Sequence, residues 1–391
     1  MAIPPEMGKS PSLTGRHKLS IPSTLRMHAM DFDLLDWLND RETVVHNLGS
    51  SCLTFLKLTD IPGFELDSFD FLMDCGTDMG DQSLISCIAD QYGLGPENVA
   101  ITSSASEGNF LVESLFSEGT IAVESPCYEP LLKLTSVLGA KTRSIPRPFG
   151  NRFRFNPEVL KEQVAGCQLL VMTNLHNPSG VGLSSNELRE VIEICEDAGT
   201  MVLVDEIFRH FSDGPSAVEF GENVVINASP SKFFGACGLR IGHLVGNRKL
   251  IGDIERLKML ITPNASVISQ RVYLLIMRNL NWFIERGRKI MGPNTDYLRT
   301  WIDGRGDVEW IPSEGNIAFP RIFDPGTGTS PDTMKLGTQL KQEQGLMVTP
   351  GKYFGPEGEG HIRIGFGIPN DNLKMGLEAL RKGLDEWWAK R

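Results

Sequence analysis

Short apolar segments alternate with amphipathic segments between residues 97 and 228, and this alternation is the strongest constraint on the fold. The apolar segments have the length of β-strands, whereas apolar residues recur at helical spacing in the segments between them. Such an arrangement is typical of a mostly parallel sheet covered by helices on both faces. We therefore predict an α/β fold. The predicted strands comprise residues 98–102, 120–124, 168–173, 201–205 and 224–227.

The rest of the chain predicts a second, smaller domain. Residues 1 to about 30 are rich in proline and serine and lack periodicity, which indicates an arm. After a long helical connector, short strand-like segments and a closing amphipathic helix predict a small α/β C-terminal domain. We place the arm and part of the small domain at 1–50, the large domain at 51–285 and the C-terminal domain at 286–391.

Composition excludes several classes of partner and cofactor. The 391 residues include 49 acidic and 38 basic side chains, for a net charge of −11, so neither nucleic acid nor an anionic membrane is an expected partner. Seven cysteines are scattered singly, which indicates a reducing compartment and no structural metal. No apolar run has the length of a signal peptide core or a membrane span. We predict a cytoplasmic protein.

One lysine, Lys232, lies in unusual surroundings, among small hydroxyl and glycine residues directly after a predicted strand. A lysine in a tight, partly dry loop loses some of its preference for the charged form, and a neutral amine can form a Schiff base with a carbonyl. Ser229, Ser231 and Arg240 are donors suited to a nearby phosphate. Pyridoxal phosphate carries both an aldehyde and a phosphate. The alternative is a surface loop whose Lys232 and Arg240 face water.

Three further residues follow predicted strands, and each has two interpretations. Asp205 ends a buried strand and either caps a turn or binds a protonated pyridine nitrogen. Asn177 precedes Pro178 and either starts a turn or donates its amide to a ring oxygen. Tyr128 either stacks on a planar ring or fills the core.

Two anion sites are candidates as well. The hydroxyl and amide groups of Ser103, Ser104 and Ala105 come at the start of a helix, where they cap the helix or bind an anion. Arg363 lies in a strand-like run with apolar neighbours, so it needs an anionic partner if it is buried. A substrate carboxylate and an internal acidic residue both satisfy that need.

In order and spacing, these residues resemble the class I/II aminotransferases of the fold-type I pyridoxal-phosphate enzymes. The resemblance extends from Ser103 to Arg363 and so covers most of the chain. Its most specific elements are the lysine segment and the Asn-Pro-x-Gly segment. The motifs that carry it are the turn 103–106, Pro126-x-Tyr128, Asn177-Pro178-x-Gly180, Asp205-Glu-Ile-Phe208, Ser229-x-Ser-Lys232, Gly238-Leu-Arg240-Ile-Gly242 and Arg363-Ile-Gly-Phe366.

The resemblance implies a fold-type I transferase that binds pyridoxal phosphate and moves an amino group from an amino acid to a 2-oxo acid. It implies Lys232 as the Schiff-base lysine and proton shuttle, and Asp205 at the pyridine nitrogen. Asn177 would lie at the phenolic oxygen and Tyr128 against the ring. Such enzymes are usually homodimers. The implied phosphate ligands are Ser103, Ser104, Ala105, Ser229 and Arg240, and the implied substrate-binding residues are Arg363, Asn177 and Gly49.

The sequence departs from the family pattern at three places. Phe208 stands where a tyrosine usually donates to the phenolic oxygen, and Ser104 replaces a frequent glycine. Near Cys75 there is no tyrosine where the partner subunit commonly sends one to the phosphate. Despite these departures, we still expect the protein to bind the cofactor. The departures bear on whether the bound cofactor then supports ordinary transamination.

The main alternative function keeps the cofactor and changes the outcome. Phe208 and the His46-Asn47 region look similar to capreomycidine synthase-like enzymes, which cyclise an arginine derivative. Elimination, replacement or cyclisation of an amino acid is therefore the second hypothesis. Two other classes fit less well: the N-terminal arm is too short for the DNA-binding module of a transcription regulator, and no glycine-rich nucleotide-binding turn follows the first strand.

Overall fold

The computed structural model describes residues 33–65, 67 and 79–390, and a seven-stranded sheet dominates it. In spatial order the strands are β2-β8-β7-β6-β5-β3-β4. Strands β7, β6, β5, β3 and β4 run parallel to one another, while β8 is antiparallel to both of its neighbours. The strands are β2 (Val99–Thr102), β3 (Thr120–Ser125), β4 (Lys141–Pro146), β5 (Leu169–Thr173), β6 (Met201–Asp205), β7 (Val224–Ala228) and β8 (Gly242–Gly246).

Helices cover this sheet because its inner strands are apolar on both faces. Val202 and Val204 of β6 belong to one apolar cluster, and Leu203 between them belongs to another. The helices are α1 (Asp33–Asn39), α2 (Gln82–Tyr92), α3 (Ala105–Leu115), α4 (Glu129–Val137), α5 (Pro157–Val164), α6 (Ser185–Asp197), α7 (Arg248–Lys258), α8 (Val267–Arg278), α9 (Leu280–Asp303), α10 (Thr333–Gln344) and α11 (Asn370–Ala389).

The C-terminal part of the chain forms short strands around a separate apolar core. This core contains Leu48 together with residues between 298 and 384. Strand β14 lies between β10 and β13 and is antiparallel to both. The short strands are β1 (His46–Asn47), β9 (Val308–Glu309), β10 (Ile317–Ala318), β11 (Arg321–Ile322), β12 (Leu346–Met347), β13 (Thr349–Pro350) and β14 (Ile362–Gly365).

The mostly parallel sheet predicted from the sequence is confirmed, with two additional strands. Strand β4 is an edge strand of largely polar composition, so it lacks the apolar signal of the inner strands. Strand β8 follows the lysine segment, and it is the antiparallel member of the sheet. Ser184 and Glu187 form a capping box at the start of α6. Within the described residues, no helix is both long and apolar enough to cross a bilayer.

Candidate active site

The carboxyl ends of three neighbouring strands define the site. Thr173 of β5 lies opposite Asp205 of β6, and Asp205 lies opposite Asn227 of β7. Parallel strands that end at the same edge leave a crevice where their loops diverge, and α/β proteins bind ligands there. The register therefore brings the loops after residues 173, 205 and 228 to one edge of the sheet.

Lys232 lies in the loop after β7 and is partly buried. Its Nζ donates to the Ser51 hydroxyl at 3.0 Å and is 3.7 Å from the Cys52 sulfur. The Leu53 amide donates to the Lys232 carbonyl at 3.0 Å and so ties the lysine loop to residues 51–53. No carboxylate of the described residues forms an ion pair with this amine. Lys232 is thus partly buried and hydrogen-bonded, which differs from a lysine that only faces water.

Asp205 is 6% exposed at the end of β6. Its Oδ2 accepts a hydrogen bond from Asn109 Nδ2 at 3.1 Å, and its Oδ1 accepts one from the Ile207 amide at 3.1 Å. Burial raises the pKa of this carboxyl, whereas the Asn109 and Ile207 donors and the charge of Lys232 lower it. Asp205 thus caps the turn that follows β6. It is also a buried acid that interacts electrostatically with Lys232.

The predicted anion turn lies at the N-terminus of α3. Ser104 is the N-cap residue, and its hydroxyl accepts from the Glu107 amide at 3.3 Å. The Ser103 amide donates to Glu107 Oε2 at 2.5 Å. Ala105 begins the helix and is buried. Capping is thus confirmed here, and the helix dipole adds positive potential at the same place.

Ser229 and Ser231 are buried beside this edge, with their hydroxyl oxygens 2.6 Å apart. The Ser229 hydroxyl also donates to the Ile241 carbonyl at 2.8 Å. Arg240 adopts a left-handed conformation with φ of 50° and is exposed. Its guanidinium donates to the Cys237 carbonyl at 3.2 Å. Among the described residues, the structure places no hydrogen bond between Arg240 and either serine.

Arg363 of β14 is buried, with an exposed fraction of 2%. One guanidinium nitrogen donates to Asn177 Oδ1 at 3.0 Å and another donates to the Gly49 carbonyl at 3.2 Å, while Nε has no partner in the part of the chain that the structure describes. Burial lowers the pKa of Arg363 to about 10, which leaves it cationic at neutral pH. No acidic side chain of the described residues pairs with Arg363, so this part of the chain supplies no internal ion pair for it.

Asn177 connects this arginine to the central sheet. The backbone N–H of Asn177 donates to the Thr173 hydroxyl at 2.9 Å, and that hydroxyl donates to the buried carboxylate of Glu124 at 2.5 Å. The Arg147 guanidinium forms a buried ion pair with the same carboxylate. The Asn177 side chain uses its oxygen for Arg363, so its Nδ2 faces no hydrogen-bond partner among the described residues.

Tyr128 and Phe208 occupy apolar surroundings. Tyr128 is the N-cap residue of α4, is partly buried and packs against two apolar clusters. Phe208 is 1% exposed and clusters with Leu175 and Ile317. Because Phe208 has no hydroxyl, it cannot make the hydrogen bond to the phenolic oxygen that a tyrosine usually makes at this place in the family. Cys75 lies outside the described residues.

Sequence reasoning missed the residues that support these groups. Asn109 contacts Asp205, Ser51 and Cys52 contact Lys232, and Glu124 supports the Asn177 loop. Asn109 carried a usable signal, since it is an amide on a helix next to the apolar pair Leu111 and Val112. In the described part of the chain, no group of three potential ligands could hold a metal ion.

Comparison with known proteins agrees with this arrangement. The family model for aminotransferase class I and II matches residues 63–380. The chain belongs to this family. A relative, capreomycidine synthase of Streptomyces vinaceus, is 28% identical over 371 residues, which are 90% of this chain and 93% of that protein.

Other relatives are aminotransferases. The aspartate aminotransferase of Pyrococcus horikoshii is 26% identical over 307 residues, which cover 75% of this chain and 78% of that protein. The crystal structure of a PLP-dependent aminotransferase from Streptococcus suis superimposes with a TM-score of 0.84 at 25% identity. It covers 91% of this chain and 98% of that one. The expected fold-type I architecture is confirmed.

Proposed function

We propose that this protein is a pyridoxal-phosphate-dependent aminotransferase that moves an amino group from an amino acid to a 2-oxo acid. The observation that carries the proposal is Arg363, a buried cation without a carboxylate partner in the described chain. A buried, unpaired guanidinium is costly unless a ligand supplies the anion. The carboxylate of an amino acid meets this requirement, and Asn177 and Gly49 already hold the arginine in place.

The side chains at the sheet edge fit the functional groups of pyridoxal phosphate. Lys232 supplies the amine for the aldehyde, and the buried Asp205 supplies a negative charge for the ring nitrogen. The free Nδ2 of Asn177 suits the phenolic oxygen. The N-terminus of α3, from Ser103 to Ala105, and the hydroxyl of Ser229 would suit the phosphate once the Ser103 amide leaves the Glu107 carboxylate and the Ser229 hydroxyl leaves the Ile241 carbonyl. Arg240 requires a rotation of its guanidinium away from the Cys237 carbonyl to join them.

Each residue then has a defined task. When bound, the cofactor supplies a carbonyl for the amino group and an electron-withdrawing ring. Arg363 holds the substrate carboxylate and thereby orients the α-hydrogen. Lys232, at the carboxyl edge of the sheet, would accept the α-proton and return it as a positioned base. Asp205 would favour a protonated ring nitrogen, and Tyr128 would lie against the ring.

The experiment is an amino-group transfer assay with the cofactor-loaded protein, individual amino acids and a 2-oxo acid acceptor. We expect stoichiometric appearance of a new oxo acid and a new amino acid. Lys232→Ala should lower the rate at least about 100-fold, the usual contribution of a positioned base. Lys249→Ala is the control, since Lys249 is an exposed lysine on α7 and does not line the groove next to the lysine loop. Equal rates for the two variants would contradict the proposal.

A second candidate is cyclisation, elimination or replacement of an amino acid. It is favoured by the capreomycidine synthase relative, which matches 90% of this chain against 75% for the aspartate aminotransferase. Both reactions begin with removal of the α-proton by Lys232. The same assay separates them, because ammonia or a cyclic product without amination of the acceptor oxo acid identifies the second candidate.

The assembly and the domain boundaries belong to the proposal as well. We propose a homodimer, supported by an apolar groove of about 370 Å³ next to the lysine loop. We also propose the large domain at 51–285 and the small domain at 286–391, with residues 1–50 as arm and part of the small domain. The cytoplasmic location stays a prediction of the sequence.

A further inference from the structure

Two asparagines connect the N-terminus of α3 to the carboxylate of Asp205. Asn227 Nδ2 donates to the Ala105 carbonyl at 2.7 Å and to Asn109 Oδ1 at 2.6 Å. Asn109 Nδ2 in turn donates to Asp205 Oδ2 at 3.1 Å. Both asparagines are buried, with exposed fractions of 6% for Asn109 and 0% for Asn227. The hydrogen bonds form one continuous chain in the interior.

The direction of this chain is fixed at its first member. A backbone carbonyl can only accept a hydrogen bond, so Asn227 must present its NH₂ group to Ala105. The same NH₂ group faces Asn109, which must therefore present its oxygen to Asn227. Asn109 is left with its NH₂ group toward Asp205, and a carboxylate accepts that bond only in its ionised form or through its carbonyl oxygen. The backbone thus determines that Asp205 receives a donor.

We propose that Asn109 is a positioning residue for Asp205, and that Asn227 fixes the orientation of the Asn109 amide. The inference rests on the proposed function, in which Asp205 binds the ring nitrogen of pyridoxal phosphate. Asn109 contacts neither the substrate nor the reacting atoms in this assignment. It acts on the orientation and the charge of the carboxylate.

The two oxygens of Asp205 are held from different directions. Asn109 binds Oδ2 and the Ile207 amide binds Oδ1, so the carboxylate plane is set and one lone pair on each oxygen remains available. A donor also favours the charged form of the acid, in opposition to burial. An ionised carboxylate with a free lone pair is what a protonated ring nitrogen requires.

The packing around Asn227 leaves little free space, which holds its side chain in this position. An added Cβ at Gly108 would lie 2.6 Å from Asn227 Oδ1, which is closer than real Cβ contacts allow. Glycine at position 108 lowers the helix propensity of α3 but leaves room for the side-chain amide of Asn227. Among the described residues the Asn227 oxygen has no hydrogen-bond partner, so this side chain binds its neighbours through its NH₂ group alone.

The experiment compares two ligands of the cofactor-free protein. One is pyridoxal phosphate, and the other is its analogue in which a C–H group replaces the ring nitrogen. The ratio of their dissociation constants, measured by equilibrium dialysis, reports the Asp205 interaction separately from all other contacts. Wild-type protein should prefer pyridoxal phosphate. Asn109→Leu should lower this preference about tenfold, the usual effect of losing one hydrogen bond to a charged group, with the analogue bound nearly as before.

A second variant keeps the shape of the side chain. In Asn109→Asp the new carboxyl accepts from Asn227 and donates to Asp205 only while it is protonated. The preference of this variant should therefore fall as the pH rises, relative to wild type in the same buffers. Val112→Ala is the control for packing, since Val112 is buried on the same helix. It should change stability and leave the ratio unchanged.

Each outcome has a distinct meaning. A reduced preference in Asn109→Leu, with the pH-dependent preference in Asn109→Asp, supports the inference. Equal weakening of both ligands, or the same loss in Val112→Ala, overturns it and leaves the proposed function standing. Wild-type protein that binds neither ligand, or binds both equally, refutes the placement of Asp205 at the ring nitrogen and the inference with it.

Discussion

At the scale of single residues, the site is defined by charges that the fold buries without neutralising. Arg363 is enclosed by Asn177, the Gly49 carbonyl and the ring of Phe354, whose centroid is 5.0 Å from the guanidinium carbon. None of these groups carries a full negative charge. The arginine therefore gains most from a ligand that brings an anion, and this dependence can be measured.

We expect Arg363→Gln to raise the KM for amino acid substrates by about 10- to 100-fold, since a hydrogen bond to a charged group contributes about 1.5–3 kcal/mol. Amines that lack a carboxylate should be nearly unaffected. Steady-state kinetics with both kinds of substrate checks the prediction. An equal loss for the two kinds would show that Arg363 supports the fold and does not bind the carboxylate.

Glu113 of α3 is a second buried titratable group, and the proposed mechanism does not use it. It is 0% exposed and accepts a hydrogen bond from Thr135 at 2.8 Å, and its Oε1 has no partner among the described residues. Burial raises its pKa from 4.5 to about 8. The folded protein therefore keeps this proton through a range in which the unfolded chain has lost it.

The sign of the pH effect follows from that difference. Between pH 4.5 and 8 the unfolded state binds fewer protons, so stability falls as pH rises, by up to about 1.4 kcal/mol for each pH unit. Glu113→Gln should flatten this dependence and be the more stable form near pH 8. Thermal unfolding across this range is the measurement. Glu118→Gln, at an exposed position, should reproduce the wild-type slope.

At the scale of elements, the site depends on close approach between β14 and the segment that precedes residue 51. The Gly365 amide donates to the Leu48 carbonyl at 2.6 Å. A Cβ at position 365 would overlap the Ser50 carbonyl oxygen. The same segment carries the Gly49 carbonyl that accepts from Arg363, so the position of the strand and the position of the arginine are linked.

Gly365→Ala should lower the stability by about 1–3 kcal/mol, the usual cost of overpacking, and should also weaken substrate binding. Chemical denaturation and substrate titration measure the two effects. Gly306→Ala is the control, because no atom lies within 4 Å of a Cβ added there. Unchanged stability in Gly365→Ala would mean that the segment moves away without cost.

At the scale of the whole molecule, the apolar groove beside the lysine loop predicts how copies of the chain associate. Phe55 is 59% exposed and Ile268 is 45% exposed at this groove, and exposed apolar surface of this kind marks an interaction site. A second copy that covers the groove would lie next to residues 51–58 and to the lysine loop. The proposed site would then be close to the subunit boundary.

We expect sedimentation to give twice the chain mass of 43.2 kDa for the wild-type protein. Ile268→Asp should shift the equilibrium toward monomers, because a charge in a buried apolar interface is strongly unfavourable. Met375→Asp replaces an apolar side chain of similar exposure on α11 and should leave the mass unchanged. A dimer that persists in Ile268→Asp would place the interface elsewhere.

The sequence by itself determined the fold class. Inner strands of a parallel sheet are apolar on both faces, so each can be recognised as a continuous apolar run without knowing which strands lie next to it. It also determined which residues were candidates for the site, since Lys232, Asp205 and Asn177 lie at the end of such a strand or within four residues of it. Strand β4 escaped detection because an edge strand faces water and needs no apolar run.

Only the tertiary structure decided how the candidates are used. Whether Arg363 meets an internal acid depends on partners 186 and 314 residues away, and no local pattern encodes such distances. Asn109 meets Asp205 across 96 residues for the same reason. Local spacing fixes secondary structure, whereas the pairing and desolvation of buried polar groups arise only when distant segments pack together.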